Sequence, residues 1–311
     1  MAQRKQVRPI EMVSKLIIGI VNWNTKDLLE QCLLSIKNQK TDFSFTTVVV
    51  DNASSDRSAT VVKKHKALLI QNKENSGMAA GLNQIIKKYP AEYYLFLHPD
   101  TKLGVGVLQK MISYLDAYLE VGVAGLHLVY PNGKNFASAH RFPRLRALFF
   151  EAFSLSHGVY LRDMDYSKEQ DADIIASACF FVRKKCFDYG GLFDERFTNW
   201  MAEWDLCKRL KDGQWKVRYV PVAQVVHYEG QADTSLEYKK YSYVIADKML
   251  GSLFLFYRKH YSWLSLVALK WATAGGLSAK VLLYAPFVFT SKEARERVWP
   301  YIRTMGKILF L

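Results

Sequence analysis

The stretch Tyr93-Tyr94-Leu95-Phe96-Leu97-His98-Pro99-Asp100-Thr101 decides the fold. Its first five residues are aromatic or aliphatic, which is typical of a strand buried on both faces in the middle of a parallel sheet. Pro99 lacks a backbone N–H and favours an extended conformation at His98, so Asp100 is expected just beyond the strand's carboxyl end. Open α/β sheets bind ligands at that edge. Asp100 is therefore a candidate ligand-binding residue, and capping of the next helix is the alternative.

Strands and helices alternate on the amino-terminal side of this stretch. Apolar runs predict the strands, and amphipathic segments predict the helices between them. The predicted strands are 15–21, 45–50, 68–70 and 93–97, and the predicted helices are 27–39, 58–65 and one that ends at residue 88. This alternation predicts an α/β fold with a mostly parallel, doubly wound sheet.

Three of the four predicted strands end in polar clusters. These are Asn22 with Asn24, Asp51 with Asn52, and His98 with Asp100. Each cluster alone suits a helix cap or a turn. The carboxyl ends of parallel strands share one edge of the sheet, so we expect the three clusters to converge on one crevice. Carboxylates and amides there can bind the base and ribose of a nucleotide.

A glycine-containing segment follows the third strand, with the sequence Asn75-Ser76-Gly77-Met78-Ala79-Ala80-Gly81-Leu82-Asn83. Glycine allows close backbone approach, and a helix N-terminus favours phosphate. The spacing is neither a Walker motif nor the dinucleotide fingerprint. We expect phosphate groups to approach the backbone where this helix begins.

Four motifs then occur in the order and spacing of one enzyme family. They are residues 21–24, 50–54, 75–83 and 97–100. Over residues 14–230 the chain resembles the inverting family-two glycosyltransferases, in particular their rhamnosyltransferase-like branch with the GT-A nucleotide-sugar fold. The family's usual last motif is Asn-Pro-Asp or Asp-x-Asp, so His98 departs from it.

The resemblance implies roles for individual residues. Asp51 would bind the base, Asp100 would hold a divalent cation on the diphosphate, and His227 would face the diphosphate or the cation. The nucleotide-binding residues that it implies are Val21, Asn22, Asn24, Asp51, Asn52, Asn75, Gly77, Asn83 and His98. Mg2+ or Mn2+ is expected because hard cations prefer oxygen ligands, and coordination by His98 would favour Mn2+. For His227, which follows an apolar run, a hydrogen-bonded core position is the alternative.

Two acids stand two residues apart in the segment Ala202-Glu203-Trp204-Asp205-Leu206. The family that this chain resembles has Glu-Asp-x-Asp-Leu there, with the catalytic base at the place of Glu203. On a helix the two side chains project about 200° apart, so they cannot both face one acceptor. Asp205 lies four residues before Arg209 and is expected to pair with it, whereas Glu203 has no cation at helical spacing. Beside Trp200 and Trp204, Glu203 is expected to have a raised pKa and to act as the general base. A solvated surface position is the alternative for Glu203.

The elements after residue 100 are less regular. We predict a helix at 106–118, a strand at 121–130, a hairpin turn at 131–134, a mobile loop with a helical piece at 140–172, an apolar strand at 174–183, and short closing strands at 217–221 and 224–228. The arginines of 140–172 leave an acceptor-facing role for that loop open. Small residues at 176–178 allow close approach either of a sugar or of another strand.

Composition narrows the class of protein. With 311 residues and 50% hydrophobic content the chain can bury a full core, and its net charge of +14 implies an anionic partner. Half of that excess lies in residues 251–311, which hold nine Lys or Arg and two Glu. The four cysteines form no CxxC pair, which favours a reducing cytosol, and the polar N-terminus predicts no signal peptide.

The C-terminal region is basic and aromatic. Its longest uncharged run, 281–291, is shorter than the roughly 20 residues of a membrane span, and Lys270 and Lys280 interrupt the wider window. We expect helices that lie on an anionic membrane surface with tryptophans at headgroup depth. Packing on the core or in an oligomer is the alternative.

The sequence therefore predicts three parts: a basic tail (1–13), a GT-A domain (14–235), and a basic, aromatic helical region (236–311). The expected function is inverting transfer of a sugar from a nucleotide donor to a glycan or a polyprenyl-diphosphate-linked glycan, in cell-surface polysaccharide synthesis on the inner face of the membrane. The resemblance favours L-rhamnose from dTDP-rhamnose, with UDP-galactose or UDP-N-acetylglucosamine as alternative donors. No nucleic-acid partner is expected, and a homo-oligomer is left open.

Two functions of other classes compete with this one. A nucleotide-sugar nucleotidyltransferase would need a glycine-rich phosphate loop, which residues 22–25 lack. A non-catalytic adaptor could use the basic C-terminal region, but the presence of both Asp100 and Glu203 argues against it.

Overall fold

A computed structural model describes residues 14–155, 164–198, 200–228 and 242–308. The predicted tail (1–13) and the predicted domain boundary at 235/236 lie outside these residues. The strands are β1 (Leu16–Asn22), β2 (Phe45–Asp51), β3 (Leu68–Gln71), β4 (Tyr93–Leu97), β5 (Thr101–Leu103), β6 (Val121–Val129), β7 (Ala139–His140), β8 (Gln170–Asp171), β9 (Ile174–Ile175), β10 (Cys179–Arg183) and β11 (Lys216–His227).

The helices complete the element order. They are α1 (Lys26–Lys37), α2 (Ser58–Lys64), α3 (Met78–Lys88), α4 (Val107–Ala117), α5 (Leu145–Ala152), α6 (Lys184–Gly190), α7 (Ala202–Asp212), α8 (Ser242–His260), α9 (Trp263–Tyr284), a 3-10 turn (Ala285–Phe287) and α10 (Lys292–Ile308). Up to α4, the observed boundaries lie within two residues of those predicted from the sequence, except that β5 was not predicted.

The main sheet is mixed but mostly parallel on its amino-terminal side. Its strand order is β3-β2-β1-β4-β10-β6-β11-β5, with β8 paired to β11. Strands β1 to β4 are parallel to their neighbours among themselves, whereas β10 runs antiparallel to both β4 and β6. The predicted α/β fold is confirmed, and the carboxyl ends of β1, β2 and β4 share one edge.

Strand β4 is buried on both faces, as predicted. Tyr94 and Phe96 belong to one apolar core, which α3, α6, α7 and α8 cover. Tyr93, Leu95 and Leu97 belong to the other core, which includes α1 and α4. Because alternate side chains of β4 pack in opposite cores, the orientation of the strand is fixed, and so is the position of the turn that follows it.

Two predictions for the second half of the sheet are wrong. Residues 174–183 form two strands, because the backbone turns between Ala176 and Cys179, whose N–H donates to the Ala176 carbonyl at 3.3 Å. β9 therefore pairs with β7 in a small sheet of its own, and β10 joins the main sheet. Conversely, 217–221 and 224–228 do not form two strands: they lie largely in β11, whose register with β6 shifts between Tyr219 and Gln224.

The region from 130 to 172 is partly as predicted. The hairpin turn is confirmed, because Gly133 N–H donates to the Tyr130 carbonyl at 2.8 Å and Tyr130 N–H donates to the Lys134 carbonyl at 2.9 Å. The helical piece predicted within 140–172 is α5, and β8 lies near the end of this segment. Residues 156–163 of the predicted loop lie outside the described residues.

The C-terminal helices combine core packing with an exposed apolar face. Phe254, Phe256 and Tyr257 of α8 are buried in the core shared with β4. By contrast, Trp263 and Trp271 of α9 are 72% and 74% exposed. The segment Trp263–Phe287 is 25 residues long, and by length and composition it is apolar enough to cross a membrane. The expectation that no segment is long enough is therefore wrong by this measure.

Candidate functional site

The turn after β4 presents Asp100 as the sequence predicts. Thr101 donates to the His98 carbonyl from its backbone N–H at 3.2 Å and from its hydroxyl at 2.7 Å. These bonds close a tight turn with Pro99 at its first central position, where a fixed φ is favourable. The turn places Asp100 at the carboxyl edge of the parallel strands.

His227 reaches the same place from the end of β11. It pairs with Thr101 across the antiparallel β5–β11 ladder, and Tyr228 N–H donates to the Asp100 carbonyl at 2.9 Å. His227 Nε2 lies 3.4 Å from Asp100 Oδ1. His227 is buried, as the alternative of a core histidine predicts, but its ring also faces the carboxylate of Asp100.

His98, Asp100 and His227 form a candidate cation site. One ligand atom from each lies within 4.8 Å of the others. His98 Nε2 and His227 Nδ1 are buried without a hydrogen-bond partner, which is costly unless another group satisfies them. Two imidazoles and a carboxylate suit a transition-metal ion better than Mg2+. The residues therefore fit a divalent cation.

The electrostatics of the cluster favour a charged Asp100 beside a neutral His98. Burial acts to raise the pKa of Asp100, but the His227 hydrogen bond and the two imidazoles outweigh it and leave this pKa below its usual value. Burial lowers the pKa of His98 to about 4, against the opposing effect of Asp100. Neutral imidazole and ionised carboxylate are the forms that bind metal ions.

The ends of β1 and β2 are tied together by side-chain hydrogen bonds. Asn22 donates to Asp51 Oδ1 at 3.0 Å and to the Ser54 hydroxyl at 3.1 Å, and its own oxygen accepts from Thr25 at 2.6 Å. Asn22 and Asp51 are fully buried. The structure brings these two predicted residues together. Both the nitrogen and the oxygen of the Asn22 amide form hydrogen bonds. Asp51 accepts two hydrogen bonds, one from Asn22 and the second from Ser54 N–H at 3.3 Å.

Asn24 and Asn52 join neighbouring loops to this edge. The side-chain oxygen of Asn24 accepts from Ser55 N–H at 2.8 Å, in an exposed loop where Asn24 has a φ of 53°. Asn52 donates to the Asn75 side chain at 3.1 Å and to the Gly77 carbonyl at 3.3 Å. The 75–77 segment is thereby held against the end of β2, as the predicted convergence requires.

Gly77 has a structural role beside its predicted role in nucleotide binding. Its φ is 84°, and a Cβ there would lie 2.7 Å from the Thr198 carbonyl oxygen. The same carbonyl accepts from Met78 N–H at 2.9 Å, so this N–H at the start of α3 already has a protein partner. The glycine is needed for close contact with the loop before α7. Val21 likewise packs on α3, because a Cβ at Gly81 would lie 2.8 Å from its side chain.

Asn83 is likewise hydrogen-bonded within the protein. Its amide nitrogen donates to the Phe193 carbonyl at 2.9 Å and to Glu195 at 2.8 Å, and its oxygen accepts from Phe193 N–H at 3.0 Å. Asn83 is buried and engaged at every polar atom. This bonding joins α3 to the 193–195 loop, and a role of Asn83 in nucleotide binding stays a prediction.

Glu203 occupies the first turn of α7 in an apolar setting. Met201, immediately before the helix, has a φ of 70°, an uncommon value for a bulky residue. The Oε2 atom of Glu203 is buried without a hydrogen-bond partner, although the residue as a whole is partly exposed. Burial raises the pKa of Glu203 to about 7. The predicted rise in pKa is confirmed, and this value suits a proton acceptor near neutral pH.

Asp205 is bound by cations from two helices. Arg209 donates to its Oδ2 at 2.9 and 2.8 Å, which confirms the predicted pair. Lys259 and His260 of α8 each lie 2.7 Å from its Oδ1, and Lys259 also contacts Asp194 at 2.8 Å. Burial acts to raise the pKa of Asp205, but these partners outweigh it and lower the pKa. Sequence analysis missed Lys259 and His260, because no spacing rule links residues so far apart in the chain.

A family comparison agrees with this geometry. The family model for "Glycosyl transferase family 2" matches residues 17–190 of the chain. That range contains β1 to β4, the Asp51 loop and the Asp100 turn.

Individual relatives are more distant. An N-acetylglucosaminyl-diphospho-decaprenol L-rhamnosyltransferase of Mycobacterium tuberculosis is 24% identical over 241 residues, which cover 71% of this chain and 78% of that protein. A poly(ribitol-phosphate) beta-glucosyltransferase of Bacillus spizizenii is 31% identical over 109 residues, which cover 32% of this chain and 17% of that protein.

Solved structures share the fold. A mannosyltransferase from Pyrobaculum calidifontis, solved with GDP-Man and Mn2+, superposes with a TM-score of 0.56 at 16% identity, over 99% of this chain and 91% of that one. GalNAc-T7, solved with UDP, GalNAc and Mn2+, superposes with a TM-score of 0.55 at 13% identity, over 69% of this chain and 43% of that one.

Proposed function

The chain belongs to glycosyl transferase family 2, and from this premise we propose that it transfers a sugar, with inversion, from a nucleotide-diphosphate donor to a lipid-linked glycan. The observation that carries the proposal is the His98–Asp100–His227 cluster at the carboxyl edge of the sheet, with two buried nitrogens that lack partners. Such an edge is where open α/β sheets bind their ligands. A bound divalent cation would neutralise the diphosphate leaving group.

The remaining chemistry falls to the protein's own residues. Asp51, beside the ends of β1 and β2, accepts a hydrogen bond from the base of the donor nucleotide. Glu203 removes the proton from the acceptor hydroxyl as the oxygen of that hydroxyl bonds to the anomeric carbon of the donor sugar. The bond from the anomeric carbon to the diphosphate oxygen breaks in the same step. A single displacement inverts the anomeric configuration, and no covalent enzyme intermediate forms. The pKa of Glu203, raised to about 7, lets it be ionised before the step and hold the proton after it.

The preferred donor is dTDP-L-rhamnose and the preferred acceptor is a glycan on a polyprenyl diphosphate. The N-acetylglucosaminyl-diphospho-decaprenol L-rhamnosyltransferase at 24% identity supports L-rhamnose as the sugar and a polyprenyl diphosphate as the carrier of the acceptor. UDP-galactose and UDP-N-acetylglucosamine are the alternative donors. The cation is Mn2+ or Mg2+, and two imidazoles in the cluster favour Mn2+.

A thermal-unfolding screen tests the donor assignment. Nucleotide sugars are added one at a time, each with Mn2+, with Mg2+ and with chelator. A donor at 100 times its dissociation constant adds about 2.7 kcal/mol of stability, so the correct nucleotide sugar gives a clear shift only with the cation. Transfer by that donor, with the anomeric configuration of the product determined by NMR, tests inversion. If no nucleotide sugar stabilises the protein with either cation, the proposal fails.

We also propose that the C-terminal helices hold the enzyme on the inner face of an anionic membrane. Trp263, Trp271 and Phe289 are largely exposed in a strongly basic region. Aromatic side chains at headgroup depth and cations above anionic lipid act together at such surfaces. The protein should pellet with anionic vesicles and be released by salt. Equal binding to neutral vesicles would remove the electrostatic part of this proposal, and no binding to either would remove all of it.

A further inference from the structure

Glu203 stands on a helix turn that has no capping side chain. Met201, the residue before α7, has a φ of 70° and carries no side-chain oxygen with which to cap the helix. Within the described part of the chain, the buried Oε2 atom of Glu203 has no hydrogen-bond partner. The backbone of its own turn therefore places the Glu203 side chain, and the contacts that fix this turn lie elsewhere.

Asp205 is one anchor of the turn. Its N–H donates to the Met201 carbonyl at 3.0 Å, which joins it to the residue that begins the turn. Its side chain is fully buried, and Lys259 and His260 at the end of α8 each lie 2.7 Å from its Oδ1. Because this backbone bond closes the turn, a displacement of Asp205 would move the first turn of α7 with it.

Lys259 reaches a second anchor on the other side of Glu203. Its Nζ lies 2.8 Å from Asp194 Oδ2, in the loop that leads to α7, and 2.7 Å from Asp205 Oδ1 on the helix. The two carboxylate side chains are only 14% and 0% exposed, so these charge-assisted contacts are screened little by water. One ammonium group thus joins a carboxylate that precedes Glu203 in the chain to one that follows it.

Both acids also have partners other than Lys259. Arg209 donates to Asp205 Oδ2 at 2.9 and 2.8 Å, and His260 remains at Oδ1. Arg196 lies 2.6 Å from Asp194 Oδ2. A protein without the Lys259 ammonium should therefore fold with both carboxylates still paired. It would lose the contact through which α8 holds the loop and the helix together.

We propose that Lys259 is a positioning residue: by joining the carboxylates before and after Glu203, it holds this base where it can reach the acceptor hydroxyl. The inference rests on the proposed function, because Glu203 is a base only in that reaction. Lys259 acts through Asp194 and Asp205, and His260, whose side chain is 7% exposed, supports the contact by reaching the same Asp205 oxygen.

Lys259→Met removes the ammonium and keeps a long side chain that suits a helix. It should lower kcat by roughly 10- to 100-fold with the KM for the donor unchanged, because a small displacement of a catalytic group has effects of this size. Lys248→Met is the control, since Lys248 is an exposed lysine of the same helix. Rates are measured well below the melting temperatures and divided by the number of donor-binding sites from calorimetry. Equal kcat values for the two variants overturn the proposal.

A double-mutant cycle separates positioning from a general loss of structure. If Lys259 acts through Glu203, Lys259→Met should change kcat by less than about twofold in the Glu203→Gln background, because the base that it positions is already absent. Single-turnover measurements at high enzyme concentration keep the slow Gln background measurable. An equal loss in both backgrounds would show that Lys259 supports the structure in general, and would overturn the proposal.

The loop end of the bridge gives a second variant. Asp194→Asn leaves the partners of Asp205 in place and weakens only the contact with the loop. It should lower kcat by about threefold or more and add little to Lys259→Met, since both changes break one bridge. Asp188→Asn is its control, at a carboxylate that is 60% exposed and pairs with Lys184. Losses that multiply in the Asp194–Lys259 double variant would show separate roles and overturn the proposal.

Hydrogen exchange tests the inference without turnover. The Asp205 amide, bonded to the Met201 carbonyl, reports opening of the first turn of α7. Its exchange should be about tenfold faster in Lys259→Met than in Lys248→Met, and equal exchange overturns the proposal. If the wild type transfers no sugar, the proposed function fails, and this exchange still decides whether Lys259 holds the turn. If the wild type and Lys259→Met transfer equally well, the proposed function stands and the inference fails.

Discussion

The sheet edge and the α7–α8 contact differ in how their polar groups are satisfied. At the sheet edge, Asn22, Asp51 and Asn52 bond to one another's loops, and the buried atoms without partners belong to His98 and His227. On α7, Asp205 contacts Arg209, Lys259 and the His260 ring, while Glu203, two residues away, has a buried oxygen without a partner. The sheet edge presents buried nitrogens that could bind a cation, whereas α7 keeps the Glu203 carboxylate away from the cations that bind Asp205.

This difference suggests that the sheet edge and α7 have separate functions in the reaction. The sheet edge is built mainly from consecutive strand–helix units, so donor binding should survive changes in the C-terminal helices. The position of α7 depends on Lys259 and His260 of α8, so the base and the acceptor side should be sensitive to those helices. His98, His227 and Glu203 each keep a buried atom without a hydrogen-bond partner at the proposed points of chemistry, which is where a protein accepts a cost in stability.

Asp100→Asn should have the largest effect on the sheet edge. The change removes the ionised ligand of the cluster, so transfer should be lost together with cation-dependent protection by nucleotide, while the fold persists. Asp42→Asn, at an exposed carboxylate remote from the cluster, is the matched control. The measurements are transfer rate and thermal shift with and without chelator. An Asp100→Asn protein that still transfers sugar in chelator would remove the cation from the mechanism.

Glu203→Gln should have the next largest effect. Loss of a general base lowers turnover by about 10²–10⁴, and donor affinity should change little because Glu203 lies outside the sheet edge. In the wild type, turnover should rise with pH through about 7 as Glu203 ionises. Turnover and donor binding of this variant are compared with those of Glu92→Gln, at an exposed site. A pH profile of the Gln variant identical to that of the wild type would assign the base elsewhere.

The same comparison explains what the sequence could predict. The strands up to β4, the Asp100 turn and the Asp205–Arg209 pair follow from local patterns: an apolar run, a proline, and a spacing of four residues. The partners Lys259 and His260 stand 54 and 55 residues from Asp205 and have no such pattern. For Gly77, the sequence predicts close approach by another group, because a glycine before a helix permits it. Sequence alone does not reveal that the Thr198 carbonyl approaches this glycine.

Asp205→Asn should mainly lower stability. It removes the charge that compensates Lys259 and Arg209, and breaking a buried ion pair from one side costs about 3–5 kcal/mol. Asp212→Asn on the same helix is the control, because its contact with Lys208 is exposed and should change stability by less than about 1 kcal/mol. Denaturant unfolding measures both. A stable but inactive Asp205→Asn protein, together with an active Glu203→Gln protein, would show that the two acids have been assigned the wrong way round.

The smallest effect expected is the pH dependence of stability that Glu203 causes. Its ordinary pKa is 4.5, and burial raises the pKa to about 7 in the folded protein. Between these values the folded state binds more protons than the unfolded state, so stability falls as pH rises through this window. Glutamine cannot ionise, so Glu203→Gln should melt with the wild type at pH 4.5 and above it at pH 8. Because the side chain is partly exposed, the gain should be on the order of 1 kcal/mol, a few degrees in melting temperature. Equal melting temperatures at both pH values would mean that Glu203 ionises at its ordinary pKa. The contrast between a paired Asp205 and a Glu203 oxygen without a partner would then no longer explain which of the two is the base.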